Sequence, residues 1–440
     1  MKVLKFGGTS VGSPSRMHHI ASLLESYEDR ILVVLSAVSG TTNALINISE
    51  SYTNGKTQEA LALTKKLKDS YSPFIEELFK TAAGKEKGLV IIDRFFTEIE
   101  RLINQPFYQQ IPKILVVQGE LISTHLFCEY LKECGKEVEL LSSVDFMYLN
   151  PEGEPDMEVI RHKIQATIDS FSGTRLFITQ GFICRNASGG IDNLKRGGSD
   201  YSATLIGAAL NAAEVQIWTD IDGMHNNDPR IVEHTRPISN LSFEEAGELA
   251  YFGAKILHPN CIIPAQKYDI PVRIRNTMNP NAHGTLITSE QNPQAVKAIA
   301  AKDGITAIKI KSSRMIMAYG FLRKVFEVFE QYRTPIDMIT TSEIAVSLTV
   351  DNDQFIKEIT AEISSYGKVE VDKDMTIICI VGDMVAQHKG VGREIFKALE
   401  NIPLRMISYG GSRNNISVLI SSEYKKEALI ALNKQLFDLN

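Results

Sequence analysis

Val3-Leu4-Lys5-Phe6-Gly7-Gly8-Thr9-Ser10, followed closely by Ser13-Pro14, carries a strand, a glycine turn and a helix start in immediate succession. Val3 to Phe6 is a short β-prone run, and the two glycines end it. Ser13 then reads as a helix N-cap and Pro14 as the first helical residue, with Met17, Ile20, Ala21 and Leu24 recurring at helical spacing. The alternation continues through the first two-thirds of the chain. Further strand candidates are Ile31 to Leu35, Ile114 to Val117, Glu137 to Leu141, Arg175 to Thr179, Val215 to Thr219 and Val272 to Arg275. Strands alternating with helices predict an α/β fold, with a mostly parallel sheet covered on both faces. Lys56 to Gln109 reads as a polar, helical insertion between two of its strands.

A second glycine pair stands in Lys195-Arg196-Gly197-Gly198-Ser199-Asp200, ahead of an amphipathic helix expected over Tyr201 to Asn211. Glycine lets the backbone approach a ligand and leaves N–H groups to face an anion. Two such turns, each beside a cation and hydroxyls, point to a phosphate gripped from two sides.

Bulk properties narrow the class. At 440 residues the chain exceeds one ordinary core, so two or three domains are expected. A net charge of -6 without a basic stripe argues against nucleic acid. No secretory h-region opens the chain, and the longest apolar runs are strand-sized, so neither export nor a membrane is expected. The five scattered cysteines lack metal-site spacing and suit a reduced, cytoplasmic protein. No metal site is expected from the protein's own residues.

Individual motifs leave alternatives open. Lys5 could offset phosphate charge, or be a surface lysine beside a turn. Thr42, after Ser36, stands where a helix N-cap belongs. Gln118-Gly119-Glu120 reads as a strand end, where Glu120 would receive an ammonium; a helix-start glutamate is the other explanation. Arg196 suits a carboxylate, and Asp200 could orient Lys5, hold Mg²⁺ or cap a helix. Thr219-Asp220, Asp222-Gly223 and Asp228-Pro229-Arg230 form either a loop that wraps a nucleotide or successive turns. Lys255 could complement a helix C-terminus. Gly55-Lys56-Thr57 is no phosphate-binding P-loop, because Glu50 occupies the place of its first glycine.

Beyond the linker Gln291-Asn292-Pro293 the chain nearly repeats itself. Gly320, Arg323, Phe326 and Glu330 match Gly390, Arg393, Phe396 and Glu400, and Met338-Ile339 matches Met406-Ile407. Two copies of about 70 residues predict paired α+β modules.

Taken in order, these motifs resemble those of aspartate kinases in the amino-acid kinase superfamily. The resemblance rests on Lys5 to Val11, Gln118 to Glu120, Arg196 to Asp200, Asp228 to Arg230 and Phe252-Gly253-Ala254-Lys255. It implies an amino-acid-kinase catalytic domain over 1–293 and a tandem ACT (ferredoxin-like) region over 294–440. The two ACT modules would span about 305–375 and 376–440, with strands either sequential or interleaved. The implied reaction is phosphorylation of the L-aspartate β-carboxylate by Mg-ATP. By the same resemblance Lys5 and Asp200 are catalytic, and Ser36, Thr42, Glu120, Arg196 and Ser199 hold aspartate. Lys5, Gly7, Gly8, Thr219, Asp220, His225, Arg230 and Lys255 would line the ATP site. His225 departs from the tyrosine of many relatives. Gly320-Phe321-Leu322 and Asp337 to Glu343 resemble the lysine-sensitive branch, which implies an L-lysine effector on Met315, Asp337, Ser342 and Glu343. Ala318 and Pro335 replace serines frequent there. A monofunctional enzyme is expected, as a homodimer through the ACT modules or a tetramer. The other readings are a kinase for a different carboxylate and a non-catalytic amino-acid sensor.

Overall fold

The computed structural model describes residues 1–194, 197–253, 257–291, 294–312 and 319–438. They form two compact units, Met1–Met224 with Leu257–Ser289, and His225–Ile256 with Glu290–Asn440.

The first unit opens with β1 (Lys2–Phe6), α1 (Pro14–Leu24), β2 (Ile31–Leu35), α2 (Thr41–Thr53), α3 (Thr57–Leu78) and α4 (Ala82–Ile103). It continues through α5 (Ile111–Val116), α6 (Gln118–Glu133), β3 (Glu139–Leu141), α7 (Met157–Asp169) and β4 (Leu176–Gln180). A small hairpin of β5 (Ile183–Arg185) and β6 (Ile191–Asn193), then α8 (Gly198–Ala209) and β7 (Glu214–Thr219), bring the chain to the second unit. There β8 (Asn240–Ser242) and α9 (Phe243–Tyr251) form, before α10 (Pro259–Lys267), β9 (Val272–Asn276) and β10 (Thr285–Thr288) complete the first unit.

Strands β3-β4-β2-β1-β7-β9-β10 lie side by side in that order. All neighbours are parallel except β10, which is antiparallel to β9. Val3, Leu4 and Phe6 are fully buried, as a strand covered on both faces requires. Each contributes about 1.5–3 kcal/mol by leaving water. Phe6 also stacks on the fully buried Trp218 of β7, with centroids 5.7 Å apart.

Three expectations from the sequence need correction. Ile114 to Val117 is not a strand but lies at the end of α5 and its junction with α6. A short apolar run does not distinguish strand from buried helix, and Pro112 in the first turn is the signal that mattered. The strand expected over Glu137 to Leu141 is confined to Glu139–Leu141. The helix expected over Tyr201 to Asn211 starts at Gly198 and stops at Ala209, beyond which Asn211 turns left-handed at φ 46°.

The second unit continues with β11 (Ala298–Lys311), α11 (Phe321–Gln331), β12 (Ile339–Thr341), β13 (Ala345–Val350), α12 (Ile356–Ile363) and β14 (Lys368–Val381). It ends with α13 (Val391–Ala398), β15 (Met406–Tyr409), β16 (Asn415–Ser421) and α14 (Lys425–Phe437). These last six strands form one antiparallel sheet, ordered β12-β13-β11-β14-β16-β15. Helices α11 and α13, at corresponding places in the repeat, both start from a left-handed glycine, Gly320 and Gly390.

Strands β11 and β14 each serve both repeats. Ala307 to Lys311 pairs with β13 and the first half of β14, whereas Ala298 to Lys302 pairs with Ile377 to Val381, in the half of β14 that also pairs with β16. The fourth strand of the second repeat therefore precedes the first repeat in the chain. Two apolar clusters follow this division, one around Val325, Phe329 and Ile359, the other around Ile395, Leu429 and Leu432.

In the same unit, Ser242 and Glu245 form a reciprocal capping box at the start of α9. Lys297 meets Glu245 at 2.7 Å, both side chains nearly fully buried. Among the described residues no helix is long and apolar enough to cross a membrane. All five cysteines are free, and four of them are buried.

Candidate active site

Because β4, β2, β1 and β7 are parallel and in register, Gln180, Leu35, Phe6 and Trp218 align across the sheet. The turns that follow these residues therefore share its C-terminal edge, where open α/β sheets bind ligands. Gly7 and Gly8 follow β1, Ser36 follows β2, Gly181 follows β4, and Thr219 ends β7.

Lys5 brings a positive charge to this edge. Its ammonium lies 2.6 Å from Asp200 in the first turn of α8, and the two side chains are only 11% and 17% exposed. That ion pair joins the two glycine turns, more than 190 positions apart in the chain. A Cβ on Gly7 would stand 3.1 Å from the Lys5 ammonium, and one on Gly8 would stand 3.1 Å from the Ala37 carbonyl. Glycine at both places keeps the backbone close to these groups.

Helix α8 starts from Gly197 and Gly198, left-handed at φ 75° and 47°, with no side chain capping its first turn. Helix α2 likewise starts from a left-handed Gly40 without a side-chain cap. Uncapped first-turn N–H groups suit an anion. Thr42 is accordingly not the N-cap expected from the sequence but the second residue of α2. Asp200 is not an N-cap either, since Gly197 holds that position.

Glu120 belongs to the first turn of α6, not to a strand end. It is 4% exposed, and the Ala37 N–H donates to its carboxylate, while Oε2 has no partner among the described residues. Burial pushes its carboxyl up to about 7, only partly offset by that N–H and its own. A buried carboxylate oxygen without a donor suits an incoming ammonium. Beside it, the buried Thr41 hydroxyl bonds the Tyr71 hydroxyl at 2.8 Å. Burial raises the Tyr71 phenol well above its usual range.

Ser36 donates to Ser199 at 2.9 Å, so these two expected substrate residues do meet. Their neighbours went unnoticed in the sequence. A Cβ on Gly181 would lie 2.3 Å from that of Ser199, and Phe182 is held left-handed at φ 67° with its N–H on Ser202. Gly181-Phe182 directly after a strand candidate was the available signal. At β7, Thr219 donates to Asp220 at 3.1 Å, and its carbonyl accepts from the Thr277 N–H. The buried Ser10 and Thr277 hydroxyls meet at 2.8 Å and tie the loops after β1 and β9 together. Arg196 and Lys255 lie outside the described residues.

In the second unit, His225 Nδ1 meets the Thr235 hydroxyl at 2.8 Å. Arg230 is exposed and makes a two-pronged contact with Asp228, at 2.9 and 2.8 Å, which holds the Asp228 carboxyl below its usual range.

Asp337, expected at the effector site, has a side chain 1% exposed. It accepts from Tyr251 at 2.7 Å and from Lys302 at 2.8 Å, and its Oδ2 has no partner among the described residues. Lys302 also meets Asp351 at 2.8 Å and lies over the Tyr251 ring. The two aspartates raise its pKa against the opposing effect of burial. Ser342 and Glu343 stand beyond the far end of β12, five and six residues from Asp337 and so about 16 to 20 Å away along the extended chain. Met315 lies outside the described residues.

The amino acid kinase family model matches residues 1–276, and an ACT domain model matches 308–361 and 378–436. The chain is 34% identical, over 99% of both lengths, to lysine-sensitive aspartokinase 3 of Escherichia coli strain K12. It is 32% identical to chloroplastic aspartokinase 3 of Arabidopsis thaliana, over 99% of this chain and 81% of that one. Solved structures of E. coli aspartokinase III, with aspartate and ADP (R-state) and with lysine and aspartate (T-state), each match with a TM-score of 0.83 over 99% of this chain. They cover 100% and 99% of the solved chains, at 33% and 34% identity. Matching over this length, with Lys5 and Asp200 joining two glycine turns at the sheet edge, the chain belongs to the aspartokinases of the amino acid kinase family.

Proposed function

We propose that this chain transfers the γ-phosphoryl group of ATP to the β-carboxylate of L-aspartate, giving 4-phospho-L-aspartate and ADP, under restraint by L-lysine. The observation that carries the reading is the Lys5–Asp200 pair between two glycine turns. Ser36, Thr42, Glu120, Arg196 and Ser199 are the proposed aspartate residues. Gly7, Gly8, Thr219, Asp220, His225, Arg230 and Lys255 are the proposed nucleotide residues. The relatives that bear lysine in their names or complexes support a lysine effector, and Met315, Asp337, Ser342 and Glu343 are the residues proposed to hold it.

The chemistry needs no strong base. A β-carboxylate with a pKa of about 4 is already ionised at neutral pH. One of its oxygens attacks the γ-phosphorus while the bond to the β,γ-bridging oxygen breaks, and ADP leaves with that electron pair. Repulsion between the two anions is the obstacle. The Lys5 ammonium and the uncapped N–H groups of α2 and α8 offset it, and Glu120 would orient aspartate through its ammonium.

Mg²⁺ fits as an ion carried on the nucleotide. No three His, Cys, Asp or Glu side chains gather into a cage among the described residues, and Asp200 Oδ1 is already on Lys5. Such an ion would take most of its ligands from phosphate and water, and would supply charge neutralisation at the phosphate oxygens. The proposed domains are a catalytic region over 1–293 and ACT modules beyond it. A cytoplasmic homodimer or tetramer joined through the ACT modules completes the reading.

The test is ADP release with Mg-ATP and L-aspartate, trapping the acyl phosphate with hydroxylamine, with and without L-lysine. Aspartate-dependent hydroxamate suppressed by lysine is the expected result. Turnover indifferent to lysine would remove the effector, and turnover with only another carboxylate would replace the substrate.

A further inference from the structure

The segment from His225 to Pro237 is a closed loop held largely by side chains. Asn226 donates its backbone N–H to the Arg236 carbonyl at 2.9 Å, and its side-chain oxygen accepts from the Arg236 N–H at 2.6 Å. His225 bonds Thr235 across the loop, and Asp228 with Arg230 stands at the far end. One residue of the last helix bonds both limbs. The Asn433 oxygen on α14 accepts from Asn226 at 3.1 Å and Asn227 at 3.4 Å, and its amide nitrogen donates to the His234 carbonyl at 3.0 Å. A carbonyl only accepts, so this last bond fixes which way the Asn433 amide points.

All three asparagines are nearly fully buried, at 4%, 3% and 2% exposed. Around Asn433 the helix presents Ala428, Leu429 and Leu432 to an apolar cluster that also takes Val232 from the loop. A buried amide is costly in such surroundings unless its bonds are met, and here they are met by the loop. The network runs outward as well. Asn227 Oδ1 accepts the Asp228 N–H at 2.9 Å, and Asp228 in turn holds Arg230 by its backbone and its guanidinium.

We infer that Asn433 is a positioning residue for the nucleotide: it sets the loop that presents His225 and Arg230 to ATP without touching ATP itself. The inference rests on the aspartokinase reading of those two residues. It gives the C-terminal helix of the ACT region a part in the kinase reaction. Its effect should fall on ATP and not on aspartate, whose described candidate residues all belong to the first unit.

The experiment compares Asn433→Leu, Asn433→Asp and, as a control, Leu432→Ala in the full-length protein. The readouts are KM for ATP, KM for aspartate, kcat, ADP affinity by calorimetry, and Tm. Asn433→Asp keeps the size and the acceptor but loses the donor to His234, so it serves if the leucine variant does not fold. Both Asn433 variants should raise KM for ATP and Kd for ADP about tenfold, with KM for aspartate unchanged. Leu432→Ala removes packing beside the network and should lower Tm while leaving KM for ATP alone. Wild-type ATP and ADP affinity in the folded Asn433 variants would overturn the inference alone. So would an equal rise in both KM values, or a Leu432→Ala variant that behaves like them. Absence of aspartate-dependent turnover in the wild type would overturn the kinase reading and the inference with it.

Discussion

Glu120 shows how burial sets chemistry at one residue. With its carboxyl pushed up to about 7, the group is mostly neutral below that pH and must lose its proton to receive an ammonium. KM for aspartate should therefore rise as pH falls from about 8 to about 6, approaching tenfold per unit below the shifted value. Aspartate itself keeps the same charges across that range. Glu120→Gln should show a high KM and a flat profile, and a variant that retains the wild-type slope would exclude Glu120 as the titrating group. The same shift bears on stability. Between about 4.3 and 7 the folded chain holds a proton that the unfolded chain releases, so Glu120 lowers stability as pH rises through that window. At Lys5 the expected loss is kinetic. Lys5→Ala should lower kcat roughly 100- to 1000-fold with a smaller change in ADP affinity by calorimetry, and an unchanged kcat would remove Lys5 from the mechanism. Both residues were legible as types in the sequence; the environment that tunes Glu120 was not, because burial is a property of the fold.

At the scale of elements, helix starts build the site, and the sequence left three of them open or misplaced. Glu120 reads as a strand end or a helix start, because Ile114 to Val117 is apolar enough for either, and the helix start is what forms; Thr42 reads as a cap and Asp200 as one option for a cap, where left-handed Gly40 and Gly197 do that work. The turn after β4 depends on Gly181. Gly181→Ala should displace Ser199 from Ser36, because the new methyl would overlap the Ser199 Cβ, and KM for aspartate should rise while ADP binding persists. In the second unit, α9 ends at Tyr251, which bonds Asp337 before β12. Lys302 already supplies Asp337 with an ammonium, the same group a lysine effector carries. Lys302→Met would leave a buried carboxylate uncompensated, at a cost of about 3 kcal/mol. Added L-lysine should then raise the variant's Tm more than the wild type's; equal shifts would mean that the effector does not meet Asp337.

For the whole molecule, the decisive fact is that His225–Ile256 belongs to the same compact unit as the ACT region. Val232 packs into the cluster of α13 and α14, and Asn226 and Asn227 bond Asn433. A fragment of residues 1–293 would leave that segment without its core. It should be cut by protease first within 225–256 and bind ADP more weakly than the full chain; full-strength ADP binding by the fragment would show the segment to be self-sufficient. Local devices are written in the chain directly: the alternation of strands and helices, the glycine pairs, the Ser13-Pro14 helix start and the near-repeat after residue 293, all carried by neighbours in the chain. Tertiary structure alone decided the Lys5–Asp200 pair, the tuning of Glu120, the sharing of β11 and β14 between the repeats, and the hold of Asn433 on the loop. Each of these joins residues far apart in sequence, and their proximity comes from strand register and core packing, which no local pattern encodes.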